Sequence, residues 1–167
     1  MYYKPKYFEP EEIFSKQVIK EHSIGSNSIW RLMDSRVLWT ADKLRELFGT
    51  IIVNDYLFGG KNQHRGFRNP LELIDLEHLK LIQAFKPTFS SFTSQHCFGR
   101  ALDLTLKKLF AEDARQYIIK NKKKEVFKYI TAIEEKVSWL HFDTRNYKKD
   151  EKGFLIFWTR QETINDW

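Results

Sequence analysis

The chain has 167 residues, 28 Lys+Arg against 22 Asp+Glu, a formal net charge of +6, and a hydrophobic share of 42%. That is the size of one ordinary domain with a sizeable core, and the composition excludes a disordered or low-complexity chain. The single cysteine, Cys97, excludes an intrachain disulfide framework and any metal site with several thiolates, so imidazole and carboxylate must hold any metal.

In chain order, Met1 to Lys6 offers no apolar core and no small-residue cleavage site, so no signal peptide is expected and synthesis is expected in the cytoplasm. Residues 10–21 open with Pro10 and acids and carry Ile13, Phe14, Val18 and Ile19 at helical spacing, which predicts a first helix. After a Gly25–Ser28 break, a second helix is expected over 39–48, with Leu44, Leu47 and Phe48 as its stripe and Gly49 as its stop. The β-branched run Thr50–Asn54 predicts a strand, 55–70 reads as irregular, and a short helix is expected over 74–84. Residues 86–106 read as two short extended pieces around a turn at Gly99. A helix is expected from Ala111 to near Lys122, its lysine-rich end solvated, followed by extended segments at 126–133, 137–144 and 153–158. No apolar run is long enough to span a membrane. Helices ahead of strands predict a single α+β domain over 1–167, with an antiparallel sheet and helices packed on one side.

Chemistry concentrates in two stretches, Ser94–Asp103 and Val137–Asp143. A turn at Gly99 can bring His96 and Asp103 together, and in a strand Trp139, His141 and Asp143 project to one face. Two imidazoles and a carboxylate can hold zinc (Zn2+) with a fourth position open, the arrangement of a catalytic site. Cys97, next to His96, is expected to face away as a buried apolar residue, and His22, His64 and His78 read as ordinary hydrogen-bonded histidines.

The pattern Ser94-x-His96-x-x-Gly99-x-Ala101-x-Asp103, followed by Trp139-x-His141, resembles the zinc peptidases that cut bacterial peptidoglycan peptides. These are D-alanyl-D-alanine carboxypeptidases and L-alanyl-D-glutamate endopeptidases, many of them bacteriophage endolysins, with a fold shared by the hedgehog signalling domain. Lys43–Gly49, Ile51–Asn54 and Arg65-Gly66-Phe67-Arg68 are similar to the family's helix, strand and Ser-Gly-Tyr-Arg segment, and the resemblance spans about 35–146. It implies that His96, Asp103 and His141 are zinc ligands and that Ser94 hydrogen-bonds the substrate backbone, with Trp139 beside the substrate. Arg68 would bind the substrate carboxylate or the oxyanion through its planar fork, the alternative being an ordinary surface ion pair.

One departure from the family's pattern affects mechanism. Three residues before the second zinc histidine, where the best-studied members carry an acidic general base, stands Ser138. A branch of the family ends in His-x-Asp, as here with His141-Phe142-Asp143, so Asp143 is the first candidate base, with Glu135 and Glu134 in reserve. Asp143 can instead be a partner that fixes a ligand histidine. The missing acid also leaves room for a catalytically inactive zinc-binding structural protein of a phage particle.

Positive charge suits nucleic acid, an anionic membrane surface or acidic wall polymers, and no nucleic-acid-binding module accompanies it. The expected partner is therefore a peptidoglycan peptide, with no specific nucleic acid and no membrane span. The expected state is a monomer acting at the cell wall, as a phage endolysin or a virion-associated enzyme.

Overall fold

In the computed structural model, which describes residues 2–22, 27–70, 72, 94–148 and 153–157, the first helix is divided in two. α1 (Pro10–Ile13) begins on the fixed φ of Pro10, and α2 (Lys16–Glu21) begins at Ser15, whose Oγ accepts a hydrogen bond from the Val18 N–H. The break has a tertiary cause. The carbonyls of Glu12, Ile13 and Phe14 accept from the Asn54 N–H, the Phe67 N–H and the Asn54 side-chain amide, leaving none of them for a continuous helix.

α3 (Ser35–Phe48) starts before the expected Trp39 because Asp34 caps it, accepting from the Arg36 N–H at 2.9 Å. It ends at Gly49, whose φ of 80° is open to glycine. Its core face is Val37, Leu38, Ala41 and Leu44, and Leu47 lies outside the stripe at 40% exposure. Buried Asp42 accepts from the Tyr3 hydroxyl and the Lys6 and Tyr7 N–H groups, which ties the N-terminal segment across the helix.

The strands are β1 (Ile51–Ile52), β2 (Ala101–Leu106), β3 (Ala132–Glu134), β4 (Leu140–Asp143) and β5 (Leu155–Phe157), with α4 (Ala111–Lys120) between β2 and β3. The expected strand over 126–133 is mostly something else. Glu125–Phe127 is a 3-10 turn packed against α3, and Phe127, with Ile130 just after the turn, fills the core from outside any strand. The expected helix over 74–84 and the first extended piece, 86–93, lie outside the described residues.

The sheet is open, in the order β1-β2-β4-β3-β5. All neighbours are antiparallel except β3 and β5, which are parallel, a correction to the purely antiparallel expectation. Both edges of β4 are occupied by β2 and β3, and β5 adds at the outer edge of β3. Arriving after antiparallel β4, it runs parallel there.

Alternation divides the sheet into two faces. Leu102, Leu104, Ile133, Leu140 and Phe142 share the core with Val37, Leu38 and Leu44 of α3 and Ala114 and Ile118 of α4. The alternate positions, Asp103, His141 and Glu134, turn to the opposite face. No helix among the described residues is long and apolar enough to cross a membrane.

Candidate metal centre

Strand register builds the site. Asp103 pairs with His141 across β2 and β4, His141 pairs with Glu134 across β4 and β3, and Glu134 pairs with Phe157 across β3 and β5. One row across four strands thus carries a carboxylate, an imidazole, a second carboxylate and an aromatic ring. His96 joins the row from the turn that precedes β2, its ring centroid 5.2 Å from that of His141. Among the described residues, His96, Asp103 and His141 form a buried group that can hold a metal ion, with one ligand atom from each and all three within 4.8 Å of one another.

The turn carrying His96 is fixed at Gly99, with φ +64°, where an added Cβ would stand 2.1 Å from the Leu32 carbonyl oxygen. The Gly99 carbonyl accepts from the Asp34 N–H, so the same residue that caps α3 also anchors the turn. The segment 65–68 clamps both halves of the site. The Arg65 carbonyl accepts from the Asp103 N–H at 2.9 Å, and the Arg68 N–H donates to the His96 carbonyl at 3.2 Å. Between them the Gly66 carbonyl lies 2.8 Å from His96 Nδ1, which assigns the proton to Nδ1 and leaves Nε2 as the ligand atom, 3.4 Å from Asp103 Oδ1.

His141 presents its two nitrogens to different carboxylates. Nδ1 is 2.7 Å from Asp103 Oδ1, and Nε2 is 3.5 Å from Asp143 Oδ2. Burial alone would raise the Asp103 carboxyl, but the two imidazoles beside it hold it well below the usual carboxylate range. Burial alone would lower both imidazoles. For His96 burial prevails, whereas Asp103 and Asp143 raise His141 to about 9. Without metal, the site is therefore an ion pair of Asp103 with an imidazolium at His141.

Arg68 is no ordinary surface pair. Its Nη2 donates to Asp103 Oδ2 at 3.1 Å, leaving Oδ1 toward the histidines, and its Nε donates to the His64 carbonyl. Asp143 is wholly buried and held by Arg145 through the backbone N–H and the guanidinium, on the Nε2 edge of His141 and away from Asp103. Glu134, buried, brings Oε2 to 3.9 Å from His141 Nδ1, the edge that faces Asp103. Glu135, just past β3, donates its N–H to the Phe157 carbonyl, and alternation turns its side chain from that row.

Ser94 opens the His96 turn, its carbonyl accepting from the Cys97 N–H. Trp139 lies just before β4, half-buried, with the Arg65 guanidinium 5.8 Å from its ring centroid. Cys97 is partly exposed rather than buried, because residues 95–99 form a turn in which strand alternation does not apply. His64, read as ordinary, lines a pocket with Arg68, Asp103 and Trp139.

Arg115 and Phe157, like the Arg145 that holds Asp143, escaped sequence reasoning. Buried Arg115 donates to the Val137 and Trp139 carbonyls at 2.8 Å each, fixing the approach to β4. Its signal was a charge adjoining the apolar positions Ala114 and Ile118 of α4. Phe157 packs edge-on against the His141 ring at 5.6 Å. The chain matches no family model, no curated protein and no solved structure.

Proposed function

We propose that the chain is a zinc peptidase hydrolysing amide bonds of bacterial peptidoglycan peptides, in the setting of phage lysis or entry. The observation that carries the reading is the buried pair of imidazoles and one carboxylate beside Arg68 and a pocket. The donor set suits zinc: two nitrogens, one oxygen, and carboxylate or carbonyl partners on the far ring nitrogens.

His96 would bind through Nε2, His141 through Nδ1 and Asp103 through a carboxylate oxygen. When bound, zinc supplies Lewis acidity, polarising the amide carbonyl and making water a nucleophile near neutral pH. Glu134 takes the proton of the attacking water on its carboxylate and returns it to the departing amine. Asp143 accepts from His141 Nε2–H and holds the ring in its ligating orientation, while Arg145 holds Asp143. Arg68 orients Asp103 through Nη2 and meets a substrate carboxylate or the developing oxyanion with its remaining donors. Ser94 and Trp139 flank the peptide backbone.

The test is an assay of zinc-loaded protein on purified peptidoglycan, reading newly released amino groups. Cleavage by the parent that disappears in His96→Ala supports the peptidase. No cleavage by a parent that binds zinc and melts lower with chelator favours the inactive, structural zinc protein instead.

A further inference from the structure

Lys61, Arg65 and Arg68 line a pocket of about 270 Å³ in which Asp103 is the one acid among the described lining residues. Asp103 is already engaged by Arg68 and the two histidines. Among the described residues, Lys61 and Arg65 have no carboxylate partner, and the Arg65 guanidinium donates only to Thr105 Oγ1 while lying over the Trp139 ring. Two further lining residues carry buried ring nitrogens without a hydrogen-bond partner among the described residues, His64 Nδ1 and Trp139 Nε1. Lys61 and Arg65 thus bring to the pocket positive charge that no carboxylate among the described residues pairs with.

The walls are held in place before any ligand arrives. Lys61 sits in a loop closed by Asp55, whose carboxylate accepts from the Asn62 N–H at 2.8 Å and the Asn62 amide at 2.9 Å. Arg65 is held through its backbone, its N–H donating to Asn54 Oδ1 at 3.1 Å and its carbonyl accepting from the Asp103 N–H. Such a pocket matches one carboxylate-bearing side chain and is too small for a polyanion that needs a track of cations.

We propose that Lys61 and Arg65 form a subsite for a second carboxylate, so that the ligand is an acidic peptide with one carboxylate beyond that met by Arg68. This rests on the reading of His96, Asp103 and His141 as the reaction centre.

The test is calorimetric binding of N-acetylglutamate and N-acetylglutamine to the zinc-loaded protein at low salt. The two share one carboxylate and differ in the second. The dicarboxylate is expected to bind about tenfold tighter, with the ratio falling below about twofold in Lys61→Met/Arg65→Met. Should the double variant lose its fold or its zinc, Lys61→Met alone, at an exposed position, is expected to cut the ratio about threefold. Equal affinities in the parent, or a ratio that survives these substitutions, overturns the subsite. The readout needs no turnover: absence of amide hydrolysis removes the peptidase reading and leaves the subsite standing, whereas an active protein that binds both ligands alike removes the subsite alone.

Discussion

Asp143 and Glu134 both approach His141, at 3.5 Å from Nε2 and 3.9 Å from Nδ1, and the edge of the ring each one faces separates their roles. Glu134→Gln is expected to lower kcat by about 10²–10⁴ with zinc content unchanged. Asp143→Asn is expected to weaken zinc about 10–100-fold, with kcat largely recovered at saturating metal. Equilibrium dialysis and peptidoglycan turnover on the same preparations separate the two effects. The sequence made His141 and Asp143 legible as neighbours on one strand face, because period-two alternation is local. It could not show which ring nitrogen each carboxylate meets, since Glu134 reaches His141 only through the β3–β4 register. pH follows from the same ring. His141 is raised from 6.5 to about 9 in the metal-free protein, so its contribution to stability is complete below 6.5 and is lost as pH climbs through about 9. Zinc takes the neutral imidazole, so in the zinc-loaded protein neither the folded nor the unfolded state holds this proton above 6.5, and stability is expected to stay nearly level over that window. Thermal melts between those two pH values should fall with chelator present and stay nearly level with zinc.

At the scale of the element, the turn at Gly99 and the turn before β4 each depend on one residue. Gly99→Ala combines a left-handed φ of +64° with a Cβ 2.1 Å from a backbone oxygen, and is expected to cost about 2 kcal/mol or more in urea unfolding and to weaken zinc binding. Gly59→Ala is the control. Its φ of +83° carries the conformational strain, but nothing lies within 4 Å of the added carbon, so zinc binding should be unchanged. Arg115→Met orphans the Val137 and Trp139 carbonyls and is expected to destabilise the fold by about 1–3 kcal/mol per carbonyl left buried and unpaired. The motif around Gly99 was readable because the glycine and both ligands lie close together in sequence. Arg115 was not readable, because its partners are backbone carbonyls on a later turn. The single helix expected over 10–21 failed for a related reason: residues 54 and 67 take the carbonyls at its middle, and no local pattern announces that.

For the whole molecule, α+β class and the general succession of helices and strands followed from apolar periodicity, while strand order did not. Periodicity states that β5 is a strand but is silent on which edge it joins, which is the outer edge of β3. Metal should stabilise the entire fold, because its ligands join the pre-β2 turn, β2 and β4. Zinc at 100 times its Kd adds about 2.7 kcal/mol, so chelation is expected to lower Tm by about 5–10 °C in a chain of this size, measured by differential scanning calorimetry. All three ligands have left the ribosome once His141 has emerged, yet Phe157, the ring against His141, is made later. A wall that arrives by β5 alone is expected to govern how fast a bound metal exchanges with chelator, and not which residues hold it.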